Sequence, residues 1–275
     1  MTSPLTATLI AVFAWWFFTG AILWLVRRAD AGDARPVPGA AMPAEHCGNV
    51  FLSVPVAALG VAGLVISASE MTVPNVYIAF FSALLLWGWI ELAFLAGVIT
   101  GPERRPCPEG LAPSERFWRA WDTVSHHEIL LLGALTFVLI LATGAENTFG
   151  FWTFLILYVA RISAKLNLFF GVPRINTEFV PLPVAHLKTY FRQGPITAAF
   201  PVGVTFLSVS AAFFAERLIT ASGPATTAGF ALLTALAALA AIEHWLMVVP
   251  LPDAKLWRWM LPAPPTSRQD QNHEL

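Results

Sequence analysis

The stretch WDTVSHHE, from Trp121 to Glu128, gathers two imidazoles and two carboxylates within one short segment. Asp122 and His126 are four residues apart and would share one face of a helix, whereas His127 would be turned by about 100°. The stretch stands where a long apolar segment begins, and ionisable side chains there cost free energy unless they are paired or hydrated. We therefore expect these side chains to have charged partners, a ligand or water.

Further polar residues fall towards the same predicted end of the other apolar segments. Glu91 lies roughly 12 Å inside the third segment, and Arg161 lies at a similar depth in the fifth. Lys165 follows Arg161 by one turn on the same helix face. The opposite half of the predicted bundle is nearly free of ionisable groups, so a site is expected in one half. The remaining members of this set are Asn167, Glu178, His186, Glu243 and His244.

The composition is that of an integral membrane protein. Of the 275 residues, 57% are hydrophobic and only 12% are charged, and the mean hydropathy is +0.66, whereas soluble domains carry about 25% charged residues. A formal net charge of −1 gives no reason to expect nucleic acid as a partner. Cys47 and Cys107 stand alone, without a CxxC pattern, and are expected to be reduced thiols.

Seven apolar segments are long enough to cross a bilayer, for which about 20 residues are needed. No basic residue precedes Arg27, so a cleavable signal peptide is not expected and the first segment is interpreted as a span. The sequence predicts an all-α membrane domain over 1–262 and a polar, disordered tail over 263–275. The predicted spans are about 5–26, 50–69, 75–99, 126–145, 149–170, 197–217 and 226–249.

The basic residues predict the orientation of these spans. Of the 16 Lys and Arg residues, only Arg217 falls in or next to a connection on the side opposite the others. Positive residues favour the cytoplasmic side, so the amino terminus is predicted to be periplasmic and the carboxyl terminus cytoplasmic. The three inner connections are long and the three outer ones are short. Most of the material for recognition is therefore expected on the cytoplasmic face.

Three stretches on that face are predicted to carry interfacial structure. A helix capped by Ser114, with Glu115 in its first turn, is expected before the fourth span. The stretch PLPVAHLKTYFR, over 181–192, is expected to form a short interfacial helix. The stretch KLWRWM, over 255–260, alternates basic and Trp residues and is interpreted as an interfacial anchor.

The simplest interpretation of the buried charges is structural. Glu91 and either Arg161 or Lys165 stand at matched depth on different spans, so they could form an ion pair that fixes the bundle. Charged groups inside a membrane protein commonly pair in this way. This interpretation leaves Glu128, Glu243 and the histidines unexplained.

A metal site is the second interpretation. Carboxylates and imidazoles that project inward from several helices bind iron in di-iron bundles. The repeated Glu-x-x-His spacing of such bundles is absent, as are HxxxH and HExxH. Glu243 and His244 are adjacent and cannot both point squarely at one ion. The candidate ligands are Glu91, His126, His127, Glu128, Glu243 and His244.

A tetrapyrrole site is the third interpretation. A His in an apolar helix is a usual axial ligand for haem iron, and it can serve the magnesium of a chlorophyll in the same way. His126, His127 and His244 are the candidates, with 11 Trp and 21 Phe in the chain to pack against a ring. A retinal protein is excluded, because the seventh span, 226–249, contains no Lys for a Schiff base.

Four stretches together resemble one family. They are ELAFLAGVITGP around Glu91, SHHEI over 125–129, RISAKLNLFFGVPRINTEFVPLPVAHLKTYF over 161–191 and EHWLMVVPLPDAKLWRWML near the carboxyl end. The chain resembles the PuhE family, photosynthetic complex assembly protein 2 of purple bacteria. The resemblance implies a multi-pass protein of the bacterial inner, intracytoplasmic membrane. It also implies a link to the assembly of reaction-centre and light-harvesting subunits or to bacteriochlorophyll supply, and it carries over no catalytic residues.

Two functions follow as hypotheses. The first is an assembly factor without turnover, whose polar pocket holds a bacteriochlorophyll-type tetrapyrrole or docks a subunit, with Glu91, Arg161 and Lys165 setting the bundle geometry. The second is a metal-dependent enzyme, iron-containing and di-iron-like, that acts on a bacteriochlorophyll precursor or a carotenoid. The first is favoured, which makes the chain more a binding protein than an enzyme.

Overall fold

The structure is a computed structural model, and it describes residues 3–32 and 44–250. Within these ranges the chain forms eight α-helices and no named strand. Two 3-10 helices, Thr177–Phe179 and Leu182–Tyr190, lie in the connection between the sixth and seventh α-helices. The α-helices are α1 (Pro4–Gly32), α2 (Ala44–Leu52), α3 (Val54–Ser67), α4 (Val73–Leu95), α5 (Pro113–Ala142), α6 (Phe149–Phe170), α7 (Ala199–Ile219) and α8 (Pro224–Leu246).

Seven helical segments of the described chain are long and apolar enough to cross a membrane. Helices α2 and α3 together make one of them, Glu45–Ser67, and each of the other six helices makes one. The chain is therefore a multi-pass helical membrane protein, and the prediction of seven spans is confirmed at that level. The interruption between α2 and α3 has a local cause, since Pro55 in the first turn of α3 has no backbone N–H to continue α2.

Helices α4 and α8 are the centre of the bundle. In the most apolar 18-residue stretch of each span, 67% of α4 and 61% of α8 is buried, against 22–28% in the other five. The outer helices expose large apolar side chains, among them Leu9, Ile140 and Val209, as expected of surfaces that face lipid tails. The site must therefore be sought around α4 and α8.

Small residues let the helices approach closely. Ala7, Ala11 and Ala14 of α1 belong to the same buried cluster as the alanines of α8. A Cβ atom added at Gly229 of α8 would lie 2.2 Å from the ring of Phe149 in α6. Without a hydrophobic driving force between helices in lipid, such close packing is a main source of helix association.

The two ends of the bundle differ in their connections. We call the end that carries the connections 96–112 and 171–198 the long-loop end, and the opposite end the short-loop end. At the long-loop end α4 ends at Leu95, because Gly97 has a positive φ of 75°. A positive φ ends an α-helix, and glycine is the residue that adopts it readily. The third span is therefore shorter at this end than the predicted 75–99.

Helix α5 corrects one prediction. The helix begins at Pro113, and Ala112 occupies the N-cap position without a side-chain hydrogen bond, so the prediction that Ser114 caps the helix is wrong. Proline at the first helical position has a suitable φ and lacks only an N–H that would have been unsatisfied there. Glu115 does lie in the first turn. The predicted loop helix and the fourth span form one continuous helix of 30 residues.

Of the two other interfacial predictions, only the one for 181–192 falls within the described residues. The stretch 181–192 contains the 3-10 helix Leu182–Tyr190 in place of an α-helix. The KLWRWM anchor and the polar tail 263–275 lie outside the described residues. Cys47 and Cys107 are both free thiols.

Candidate functional site: a cavity with two ion pairs

A cavity of about 680 Å³ lies in the half of the bundle next to the long-loop end. Its wall comes from α1, α4, α5, α6 and α8, and the connection 171–198 supplies further wall residues at that end. Most of its surface is apolar, from side chains such as Phe80, Leu84 and Trp87 of α4. Cavities of this size and character are typical of sites for small molecules and cofactors.

The first ion pair in the cavity wall joins α4 to α6. Arg161 Nη2 lies 2.7 Å from Glu91 Oε2. The second oxygen of that carboxylate, Oε1, lies 3.6 Å from His127 Nε2 on α5, which is too far for a hydrogen bond. Glu91 thus takes Arg161, rather than Lys165, as its partner.

The second ion pair joins α5 to α6. Lys165 Nζ contacts Glu128 Oε1, and both residues line the cavity. Arg161 and Lys165, one turn apart on α6, therefore bind carboxylates from two different helices. The ring of Phe94 lies beside both cations, 5.0 Å from Lys165 Nζ and 5.8 Å from the Arg161 guanidinium carbon. Cations near an aromatic ring at this distance gain cation–π attraction.

His127 is fully buried behind the first ion pair and does not line the cavity. Its ring stacks on Phe94 with the centroids 4.3 Å apart, and neither ring nitrogen has a hydrogen-bond partner among the described residues. Its backbone N–H donates to the Thr100 carbonyl at 3.1 Å, which attaches the connection 96–112 to α5.

Glu243 and His244 lie in the last turn of α8 and serve different neighbours. Trp15 of α1 donates its indole N–H to Glu243 Oε1 at 3.0 Å. His244 Nδ1 lies 2.8 Å from the Ala240 carbonyl, and Nε2 lies 2.9 Å from Ser163 Oγ. With Nδ1 donating to the carbonyl, Nε2 accepts from the serine hydroxyl. His244 is the one candidate histidine that lines the cavity.

The other polar residues named from the sequence lie away from the cavity wall. Asp122 and His126 share an exposed face of α5, as their spacing predicts. Asn167 is buried and donates to the Ser163 carbonyl at 2.9 Å, and Glu178 is exposed. Within residues 3–32 and 44–250, no group of three His, Cys, Asp or Glu side chains stands close enough to hold a metal ion.

The connection 171–198 is fastened to the bundle on several sides. Arg116 of α5 donates to the carbonyls of Phe169 and Tyr190. At the end of α1, Asp30 accepts from the Leu182 N–H at 3.4 Å and lies 3.1 Å from His46 Nε2 on α2. These contacts hold the loop residues that line the cavity against the helices.

Two ionisable side chains in the connections have lowered pKa values, and a hydrogen bond joins the two connections. The Arg105 side chain and the Arg104 and Arg105 backbone N–H groups hydrogen-bond to the Glu103 carboxylate and lower its pKa from 4.5 to about 2. Burial, with the nearby Arg104, lowers the pKa of His186, whose Nε2 has no hydrogen-bond partner in residues 3–32 and 44–250. In addition, the Tyr190 hydroxyl donates to the Arg105 carbonyl at 3.3 Å.

Sequence reasoning missed Phe94, Trp15 and Ser163 as site residues. Phe94 follows Glu91 by three positions on α4, so a check of helix neighbours could have found it. Trp15 and Ser163 meet Glu243 and His244 only through the tertiary packing of α1 and α6 against α8. No sequence signal marks those two contacts.

The fold and the cavity define a class, a multi-pass helical membrane protein with a largely apolar internal site. Within that class the chain belongs to the family described as "Protein of unknown function (DUF3623)", which matches residues 1–268. A relative from Rhodobacter capsulatus, described as "Uncharacterized 30.4 kDa protein in puhA 5'region", is 46% identical over 263 residues. The match covers 96% of this chain and 93% of that relative. No solved structure matches the chain.

Proposed function

We propose that this protein is a membrane assembly factor of the bacterial photosynthetic apparatus, and that its cavity holds a bacteriochlorophyll-type pigment for delivery to reaction-centre or light-harvesting subunits. The observation that carries the proposal is the cavity of about 680 Å³, which is mainly apolar and has charged groups in one zone of its wall. A pigment with a large apolar ring system and a few polar substituents matches that division.

Relatedness supplies the photosynthetic part of the proposal. The description of the Rhodobacter capsulatus relative places it in the 5' region of puhA, which we take as a link to photosynthesis. The match covers nearly the whole of both chains. The resemblance to the PuhE family supports the same context. We place the protein in the inner, intracytoplasmic membrane on these grounds.

The long-loop end is proposed to face the cytoplasm, because Arg104, Arg105, Arg116 and Arg119 lie at or beside its connections. This placement puts the charged zone of the cavity wall, which includes Glu91 and Lys165, in the cytoplasmic half of the membrane. A pigment made in the cytoplasmic leaflet would then reach the polar zone without crossing the bilayer centre.

His244 is the proposed contact to a pigment metal. It lines the cavity, and its Nε2 needs only to exchange the Ser163 hydroxyl for the metal. His126 lies on an exposed face of α5, and the buried His127 lies behind the ion pair. The fit favours one histidine over the other two. A metal-dependent enzyme gains no specific support, since the described residues bring no three potential ligands together.

The test uses a bacterium that lacks this gene and is complemented with variants. Ala164→Phe places a ring in the cavity wall, and Ala212→Phe places the same ring on an exposed face of α7 as a control. The near-infrared absorption of the membranes measures assembled complexes. With equal amounts of both variants in the membrane, Ala164→Phe should lower the complexes and Ala212→Phe should not.

Two outcomes would contradict the proposal. Normal complex levels with Ala164→Phe would mean that the cavity is not used in assembly. Accumulation of one defined pigment precursor in a Glu243→Gln strain would indicate an enzyme, because an assembly factor lowers complex yield without blocking a single chemical step.

A further inference from the structure

The charged zone of the cavity wall presents its cations, rather than its carboxylates, to the open space. The side chains of Arg161 and Lys165 are 32% and 21% exposed, whereas those of their partners Glu91 and Glu128 are 9% and 6% exposed. All four residues line the cavity. A molecule in the cavity therefore meets the side chains of Arg161 and Lys165 first, with the carboxylates behind them.

Both cations keep hydrogen-bond donors for which the described residues supply no acceptor. A guanidinium carries five N–H donors and an ammonium three. In the described part of the chain, Arg161 contacts Glu91 through one nitrogen, Nη2, and its buried Nε has no hydrogen-bond partner. Lys165 has one hydrogen bond, to Glu128. Glu91 Oε1 and Glu128 Oε2 are buried acceptors without a hydrogen-bond partner among the described residues, and water rather than an acid would satisfy them. Buried polar atoms are nearly always satisfied, so the site is incomplete without a ligand or water.

We infer that the cavity binds an apolar molecule carrying one acidic group, a carboxylate or a phosphate, and that Arg161 and Lys165 together receive that group. This inference rests on the proposed function, because it specifies the ligand of the same cavity. The two residues are one turn apart on α6 and lie beside the same Phe94 ring. Two cations beside one ring can each take one oxygen of an acid that has two.

The apolar part of the molecule lies deeper in the bundle. The cavity continues from the charged zone between Phe18 of α1, Phe80 and Leu84 of α4 and Leu157 of α6. None of these carries an ionisable group, and such a wall accommodates a ring or a chain. The ligand is therefore oriented, with its acid towards the long-loop end and its apolar body towards the bundle centre.

We place the entrance between α5 and α6. Trp121 of α5 and Leu166 of α6 line the cavity and are also exposed on the outer surface of the bundle. The connection 171–198, in contrast, is fastened by hydrogen bonds to α1, α5 and α6. An amphiphile in the bilayer reaches the charged zone sideways through this entrance.

The experiment measures binding of two matched probes to the purified protein in phosphatidylcholine nanodiscs. The probes are a metal-free chlorin with one carboxylic acid and the methyl ester of the same chlorin. The acid should bind roughly tenfold more tightly than the ester, because hydrogen bonds to charged groups contribute more than neutral ones. Chlorin fluorescence reports binding of both probes.

The variants keep the buried partners matched. In Glu91→Gln/Arg161→Gln and Glu128→Gln/Lys165→Gln, a neutral amide pair replaces each ion pair, so no buried charge is left alone. Each double variant should bind the acid less tightly and the ester as before. Lys188→Gln, an exposed lysine away from the cavity wall, is the control and should change neither affinity.

The outcomes separate this inference from the proposed function. If the acid and its ester bind equally well, the acidic recognition is wrong and the pigment cavity stands. If neither chlorin binds, both are wrong. If phosphatidylglycerol in the nanodisc displaces the acid from the wild type, the acidic site is supported, but its occupant is a lipid headgroup and the pigment proposal fails.

Discussion

Arg161 of α6 lies 2.7 Å from Glu91 of α4, and this contact joins the most buried span to a peripheral one beside the cavity. The pair is partly open to the cavity on the arginine side and closed on the carboxylate side. Removal of one partner therefore strands a charge that the other can no longer neutralise.

We expect Arg161→Gln to lower the thermal unfolding temperature of the detergent-purified protein, because it leaves the Glu91 carboxylate buried without its cation. Adding Glu91→Gln should restore much of the loss, since a neutral pair needs no counter-charge. A double-mutant cycle should give a coupling of about 1–3 kcal/mol. Additive effects of the two substitutions would show that the pair contributes nothing to the fold.

The close contact between Gly229 of α8 and Phe149 of α6 leaves no space for a side chain, and this leads to a second prediction. Gly229→Ala should destabilise the protein by about 1–3 kcal/mol, because the new methyl group would overlap the Phe149 ring. Gly133→Ala on α5 is the matched control, since no atom lies within 4 Å of its added Cβ. There alanine should be neutral or slightly stabilising. Equal unfolding temperatures for the two variants would argue against the close approach of α6 and α8.

The hydrogen bond between Ser163 Oγ and His244 Nε2 leads to a third prediction. Ser163→Ala removes the partner of a buried imidazole nitrogen and should cost about 1–3 kcal/mol. Ser210→Ala is the comparison, because that hydroxyl only donates to the Phe206 carbonyl within its own helix. Thermal unfolding of both variants measures the difference. A loss no larger than that of Ser210→Ala would mean that the α6–α8 bond is not formed.

The stability that the connection 96–112 contributes should fall at low pH. Hydrogen bonds to Arg105 lower the Glu103 pKa from 4.5 to about 2 in the folded protein, so the unfolded chain binds the proton more readily. The stability from Glu103 is therefore complete above about pH 4.5 and is lost as the pH falls towards 2. The unfolding temperature of Glu103→Gln should lie below that of the wild type at pH 6, and the gap should narrow below pH 4.5. A constant gap would contradict the low pKa.

The spans were predictable because lipid imposes one strong rule on sequence. Each crossing needs about 20 apolar residues in a helix, and hydropathy marks that directly. The boundaries were less predictable. The helix expected near Ser114 and the span expected from 126 form the single helix α5, because a polar helix can extend beyond the membrane without a change of secondary structure. Composition alone does not mark where the hydrocarbon ends.

The cavity was only partly predictable. Matched depth correctly brought Glu91 and Arg161 to the same level, but two carboxylates were available to Lys165, and the rotation of the helices decided for Glu128. The separation of Glu243 from His244 followed from their 100° offset. Their partners, Trp15 and Ser163, could not be predicted, since they depend on which helices pack against α8. The cavity itself is a property of packing and has no counterpart in the sequence.

The most direct measurement is the absorption spectrum of this protein, purified in detergent from its native photosynthetic membrane, together with elemental analysis of bound metal. If the cavity holds a pigment, we expect a tetrapyrrole band with magnesium in proportion to the protein, and loss of both in the Ala164→Phe variant but not in Ala212→Phe. A spectrum with no pigment band, or stoichiometric iron without pigment, would contradict it.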